Sequence, residues 1–150
     1  MSQFLATADI FKPDGTSAKG AELLKDKLVL LYFSGSYCNP CHIFTPKLKR
    51  AYDTLIDQGQ QISVVLVTKD KTIEAFQEYY NEKMPTFNYL AFGDPIIPQL
   101  LEKYQVKLIP CVRIIRPDGS VAVKDGVEDV RTKEQDIDGM FEEWDCYANI

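Results

Sequence analysis

Leu28-Val-Leu-Leu-Tyr-Phe33 runs through Ser34-Gly-Ser36 into Tyr37-Cys-Asn-Pro-Cys-His42, and the reading of this stretch decides the fold. An unbroken apolar run of this length reads as a strand buried on both faces. The segment after it has helical periodicity: Ile43, Phe44, Leu48, Ala51, Tyr52, Leu55 and Ile56 recur on one face, so an amphipathic helix is expected from Pro40 to Asp57, kinked at Pro46 and ended by Gly59. Two thiols, Cys38 and Cys41, thus sit where a strand hands over to a helix N-terminus. The first turn of a helix offers unpaired N–H groups and the positive end of the helix dipole, which favour a thiolate over a thiol. Cys38, the first thiol, is the expected nucleophile. Cys41, one turn on, is the expected resolving thiol. Asn39 is expected to cap the helix, and Pro40 suits its first turn.

Working outward, Lys12-Pro-Asp-Gly15 is a turn signal between two short strands, followed by a helical turn around Ala21 to Lys25. Ile62 to Thr68 is a second buried strand, and Ile73, Phe76 and Tyr80 mark the helix after it. Asp94-Pro95 and Pro98 open a shorter helix with Leu100, Leu101 and Tyr104. Arg116-Pro-Asp-Gly119 reads as a hairpin turn between Val112–Ile115 and Ser120–Val123. A capping-box pattern, Thr132-Lys-Glu-Gln135, precedes a last helix with Ile137, Met140, Phe141 and Trp144 on its apolar face. A parallel βαβ unit followed by an antiparallel pair predicts an α/β fold with a mixed central sheet and helices on both faces. With no repeat, low-complexity tract or Gly/Ser linker, the 150 residues read as a single domain, 1–150, with its core at about 9–144. A C-x-x-C at the first βα junction of such a sheet reads as a redox motif.

Composition excludes other classes. A net charge of -5 and a pI near 4.9, with no basic run, argue against a nucleic-acid partner. The longest apolar run is far below the roughly 20 residues of a membrane span, and the start of the chain lacks the basic and apolar regions of a signal peptide. A cytoplasmic, monomeric protein outside the membrane is expected. Four cysteines in a reducing compartment point to redox or metal chemistry, not to staples. A zinc or iron–sulfur site would need further ligands beside Cys38 and Cys41, and Cys111, Cys146 and His42 stand at no recognisable spacing, so no metal and no cofactor is expected.

The run Leu31-Tyr-Phe-Ser-Gly-Ser-Tyr-Cys-Asn-Pro-Cys-His-Ile-Phe-Thr-Pro46 resembles the tryparedoxin and nucleoredoxin branch of the thioredoxin superfamily, whose usual form is YFSASWCPPCRxFTP. Val67-Thr-Lys-Asp70, Phe76 to Tyr80, Lys83-Met-Pro85 and Val106-Lys-Leu-Ile-Pro110 extend the resemblance over roughly Asp9 to Val123. It implies a thioredoxin fold, three-layer α/β/α with an N-terminal β-hairpin extension. It also implies a cis Ile109-Pro110 bond facing the C-x-x-C loop, where Ile109, Pro110 and Tyr37 dock an extended substrate. Tyr32 stands where ordinary thioredoxins carry a buried Asp. Tyr37 replaces the branch's Trp, Asn39 its first motif proline, His42 its Arg, and Lys69 a frequent Trp, while Asp70 matches.

Several residues carry two readings. His42 either raises the thiolate fraction of Cys38 when protonated or is a solvated helix residue. Asp70 is a proton acceptor for Cys41 or a cap of the following helix. Cys111, directly after Pro110, is a redox participant or a small core residue, and Cys146 a bystander in a loose tail. The function expected is a thiol–disulfide oxidoreductase, a protein-disulfide reductase of cell redox homeostasis, acting on protein disulfides. A low-molecular-weight thiol or a reductase would re-reduce it. The alternative is a redox-sensitive protein-interaction module of the nucleoredoxin type.

Overall fold

The computed structural model describes residues 3–150; Met1 and Ser2, the start of the stretch read for a signal peptide, lie outside the described residues. Strands β3 (Leu28–Ser34) and β4 (Ile62–Thr68) form the parallel centre of the sheet, in register from Leu28 opposite Ile62 to Ser34 opposite Thr68. Every residue of both strands is buried, which is why neither shows polar alternation in sequence. Their side chains divide between two cores. Leu28, Leu30 and Tyr32 join Ile62, Val64 and Leu66 on one face, while Val29, Leu31 and Phe33 join Val65 and Val67 on the other.

The first core is covered by α3 (Asn39–Asp57), α4 (Ile73–Lys83), α6 (Gly126–Thr132) and α7 (Ile137–Ala148). The second is covered by α1 (Gln3–Ala6), α2 (Gly20–Leu23) and α5 (Ile96–Lys103). The sheet is mixed and seven-stranded, ordered β2-β1-β5-β4-β3-β6-β7. The N-terminal hairpin, β1 (Asp9–Phe11) with β2 (Ser17–Lys19), extends one edge, and the pair β6 (Cys111–Ile115) and β7 (Val121–Val123) forms the other. The three-layer α/β/α expectation, hairpin extension included, agrees with this architecture.

Some local expectations do not survive. β5 (Asn88–Leu90) links the hairpin to β4 and has no counterpart in the sequence reading. At three residues it is too short to show a period, and its buried Asn88 donates to Ser63 Oγ at 2.7 Å. Thr132 does not cap the last helix: it closes α6, and Asp136 caps α7 by accepting from the Gly139 N–H at 3.1 Å. Cys146 lies within α7 and is exposed, so it is a helix residue, not part of a loose tail. α3 runs on through Pro46, and Gly59 follows it at φ +79°, where an L side chain would be strained. Ile43 is 68% exposed, and Ile56 and Ile73 are also exposed, so three apolar positions assigned to helix faces point to solvent.

α1 packs against the first residue of α2, Gly20, where an added Cβ would lie 1.9 Å from the Leu5 carbonyl oxygen. Because the obstacle is backbone, Gly20→Ala is expected to lower stability by roughly 1–3 kcal/mol, read as a lower urea midpoint. An unchanged midpoint would show that α1 is not held there.

Candidate active site

The end of β3 delivers Ser34, Gly35 and Ser36 to the start of α3, and the helix cap is the Cys38 side chain itself. Cys38 has extended backbone, φ -100° and ψ 107°, and its Sγ accepts the Cys41 N–H at 3.2 Å. Asn39 is already helical, so the expected asparagine cap is replaced by a sulfur one residue earlier. Asn39 and Pro40 then occupy the first two helical positions, where a proline needs no N–H partner. All four cysteines are free, so the site is in its dithiol form.

Opposite the motif, the Ile109-Pro110 peptide is cis, as the resemblance implied. Cys38 Sγ donates to the Ile109 carbonyl at 3.6 Å, a hydrogen bond that spans the gap between the helix start and the loop before β6. Cys38 keeps 9% of its surface accessible, whereas Cys41 keeps none. Burial pushes the Cys41 thiol up to about 12, and the neighbouring Cys38 adds to the rise; the Ser34 hydroxyl and the Gly35 N–H pull the other way. Burial likewise raises Cys111, with Arg113 beside it opposing the rise.

Asp70 is buried, and its carboxylate neither caps α4 nor bonds to Cys41. Oδ1 accepts the Ser36 N–H at 2.7 Å and the Ser36 hydroxyl at 2.6 Å, while Thr72 caps α4. Asp70 therefore anchors the loop that leads into the motif. His42 Nε2 donates to the Ser36 carbonyl at 2.6 Å, and its ring lies 4.9 Å from that of Tyr79. Both ends of Ser36 are thus tied down, one by Asp70 and one by His42. Tyr37 is 57% exposed and lies over Gly35, where an added Cβ would meet its Cε1 at 2.7 Å; glycine leaves room for this ring. Lys71 Nζ stands 5.9 Å from the Tyr37 ring centroid. Beside Pro110 an open groove of about 500 Å³ is lined by Leu108, Pro110, Cys111, Arg113 and Lys124 among others.

Tyr32 is fully buried, its ring edge-on to Phe44 and Phe87, and its hydroxyl bonds to Thr45 Oγ1 at 2.5 Å. Thr45 in turn contacts Tyr79 OH at 2.8 Å, and Tyr79 contacts Ser34 Oγ at 2.9 Å. Sequence reasoning singled out Tyr32 but missed Ser34, Thr45 and Tyr79. Among the described residues no group of three or more His, Cys, Asp or Glu is arranged to hold a metal ion, and no helix is long and apolar enough to cross a membrane.

A C-x-x-C at the end of a central strand, capping the following helix and facing a cis-proline in a mixed three-layer sheet, defines the class of thioredoxin-fold proteins. Residues 26–121 match the thioredoxin-like family model, and the chain belongs to that family, in its tryparedoxin- and nucleoredoxin-like part. It is 33% identical to probable nucleoredoxin 1 of Arabidopsis thaliana over 112 residues, a match covering 75% of this chain and only 19% of that longer protein. The solved thioredoxin from Wuchereria bancrofti superposes with a TM-score of 0.81 at 39% identity, covering 86% of this chain and 89% of that one. The tryparedoxin from Trypanosoma brucei gives a TM-score of 0.75 at 26% identity, covering 93% and 92%.

Two consequences can be measured. In the reduced folded protein, iodoacetamide at about pH 8 is expected to modify Cys146 and Cys38 well before Cys41 and Cys111, by mass mapping; equal rates at Cys38 and Cys41 would contradict the assignment. Because folding raises the Cys41 pKa from 9.0 to about 12, the protonated thiol is the form the fold favours. Its contribution to stability is fully present below the unfolded pKa and is lost as pH rises toward the folded one. The reduced protein should therefore lose stability relative to a Cys41→Ser variant between about pH 9 and pH 11, seen as converging urea midpoints. Parallel pH profiles would remove the claim.

Proposed function

We propose that this protein is a protein-disulfide reductase that works by dithiol–disulfide exchange through Cys38 and Cys41. The observation that carries the reading is the sulfur-capped helix: the less deeply buried thiol accepts the Cys41 N–H, with the Ile109 carbonyl of the cis peptide on its other side and a second, fully buried thiol one turn away. Cys38 attacks one sulfur of the target disulfide, forming a mixed disulfide and releasing the other target sulfur as a thiolate that takes up a proton. Cys41 then attacks Cys38 Sγ; the internal disulfide forms, the mixed disulfide breaks, and the second target sulfur departs reduced. A low-molecular-weight thiol or a reductase returns two electrons to the internal disulfide.

Tyr37, Ile109, Pro110 and the groove beside Pro110 dock the target, with Tyr37 supplying an exposed aromatic face. Asp70 and His42 act by holding Ser36, and through it the approach to Cys38. The domain is taken as 1–150, a monomer of a reducing, cytoplasmic compartment.

A second reading, a redox-sensitive interaction module, draws support from the exposed apolar residues at this end of the molecule, Tyr37, Ile43 and Leu108. The two are separated by turnover. With dithiothreitol as donor, the wild-type protein is expected to accelerate insulin reduction and a Cys38→Ser variant to give only the background rate. A wild-type protein no faster than that variant would reject the reductase and leave the module.

A further inference from the structure

Four hydroxyls are linked in the interior, and one end of the set, Ser34, reaches the resolving thiol. Ser34, Thr45, Tyr79 and Tyr32 are all buried, and they are joined by contacts of 2.5 Å from Tyr32 to Thr45, 2.8 Å from Thr45 to Tyr79 and 2.9 Å from Tyr79 to Ser34. The ends of the set also act on each other, since the Ser34 hydroxyl opposes the rise that burial imposes on the Tyr32 pKa. Cys41, fully buried in the first turn of α3, follows the strand end that carries Ser34, and the Ser34 hydroxyl and the Gly35 N–H both oppose the rise that burial imposes on its thiol. Around a closed ring each hydroxyl would donate once and accept once, leaving no donor for the sulfur. Opened at the Ser34–Tyr32 link, the same atoms form a chain in which Tyr32 donates to Thr45, Thr45 to Tyr79, Tyr79 to Ser34, and Ser34 to Cys41 Sγ. A thiolate is a far stronger acceptor than a neutral hydroxyl, because a bond to a charged group is worth more than one between neutral groups.

Resting on the exchange reaction proposed above, we infer that Ser34 is the donor that stabilises the Cys41 thiolate when it attacks the mixed disulfide, and that Tyr79, Thr45 and Tyr32 are positioning residues that turn the Ser34 hydroxyl toward the sulfur. The Asp70 carboxylate bonds to Ser36 through Oδ1 and to Thr68 through Oδ2, not to Cys41. In the resolving step Cys41 gives up its proton to the medium. Its sulfur bonds to Cys38 Sγ, and the bond from Cys38 to the partner sulfur breaks, so the partner leaves as a thiolate. Cys41 and Cys38 are oxidised to the disulfide as the partner is reduced. The Ser34 proton stays on its own oxygen and only its hydrogen bond changes acceptor.

The test is a single-turnover reaction of the reduced protein with 5,5′-dithiobis(2-nitrobenzoate), in a Cys146→Ser background that removes the exposed thiol. The first equivalent of thionitrobenzoate reports attack by Cys38 and the second reports resolution by Cys41. Ser34→Ala is expected to slow the second phase about tenfold, the loss of one bond to a charged acceptor, and to move its pH midpoint upward, with the first phase retained. Tyr79→Phe, which keeps the ring against His42, is expected to slow the second phase by about threefold with the same sign of pH shift. A second phase with the parent's rate and pH midpoint in both variants would overturn the inference while leaving the exchange reaction standing. A parent that releases no second equivalent, or a Cys41→Ser variant that still does, would instead overturn the exchange reaction and the inference with it.

Discussion

The hydrogen bond from the Cys41 N–H to Cys38 Sγ is the contact on which the site depends. A helix must find acceptors for its first N–H groups, and the usual solution is an oxygen from Ser, Thr, Asp or Asn. Here the acceptor is the sulfur to which the proposed reaction gives the attack. The Cys41 N–H is shared between that sulfur and the Cys38 carbonyl, and the S–H in turn donates to the Ile109 carbonyl, so the sulfur is held from both sides. The rest of the end of the sheet serves to keep that sulfur in place. β3 ends within the sheet at Ser34, the Asp70 carboxylate and the His42 ring hold Ser36 from two sides, and the Ile109 carbonyl faces the thiol from across the gap.

The two thiols share a helical turn but live in different surroundings. Cys38 keeps a small part of its surface in contact with solvent, whereas Cys41 is fully buried and is held protonated by that burial. A buried thiol is a tolerable core residue, while a buried thiolate is costly unless donors are arranged around it. A carboxylate placed there would carry its own desolvation cost; hydroxyls satisfy one another at rest. Among the described residues no buried side-chain oxygen or nitrogen lacks a partner, so this polar cluster sits within the core without an unmatched donor or acceptor.

How much of this was legible in the sequence follows from how local each signal is. β3 and β4 were legible because seven consecutive buried residues leave no other reading, and the C-x-x-C position followed from their ends. The cis Ile109-Pro110 bond came from the family resemblance alone. Caps failed three times for one reason: Asn39, Asp70 and Thr132 have the right chemistry, but Cys38, Thr72 and Asp136 are the residues whose backbone leaves the helix at the right point. α6 escaped notice because its seven residues begin at a glycine and carry only two buried valines, Val127 and Val130. The hydroxyl cluster was out of reach for a deeper reason. Its members are 13, 34 and 45 residues apart in sequence, and only the packing of α3 and α4 onto the same face of the sheet brings them together.

The surface around the thiols bears on which disulfides this geometry can serve. Leu108 is 82% exposed beside Pro110, and Tyr37 flanks Cys38 directly. A small disulfide can reach Cys38 while leaving these side chains in water. An extended polypeptide laid along the groove by Pro110 would cover Leu108, which lines it, and apolar surface removed from water contributes roughly 25 cal/mol per Å². Within the proposed reaction that difference favours a polypeptide in the attacking step and a small thiol in the re-reduction step. In that scheme, once Cys41 has displaced the target, no covalent bond holds it and only non-covalent contacts such as those at Leu108 would remain, so its departure exposes the internal disulfide to the reductant.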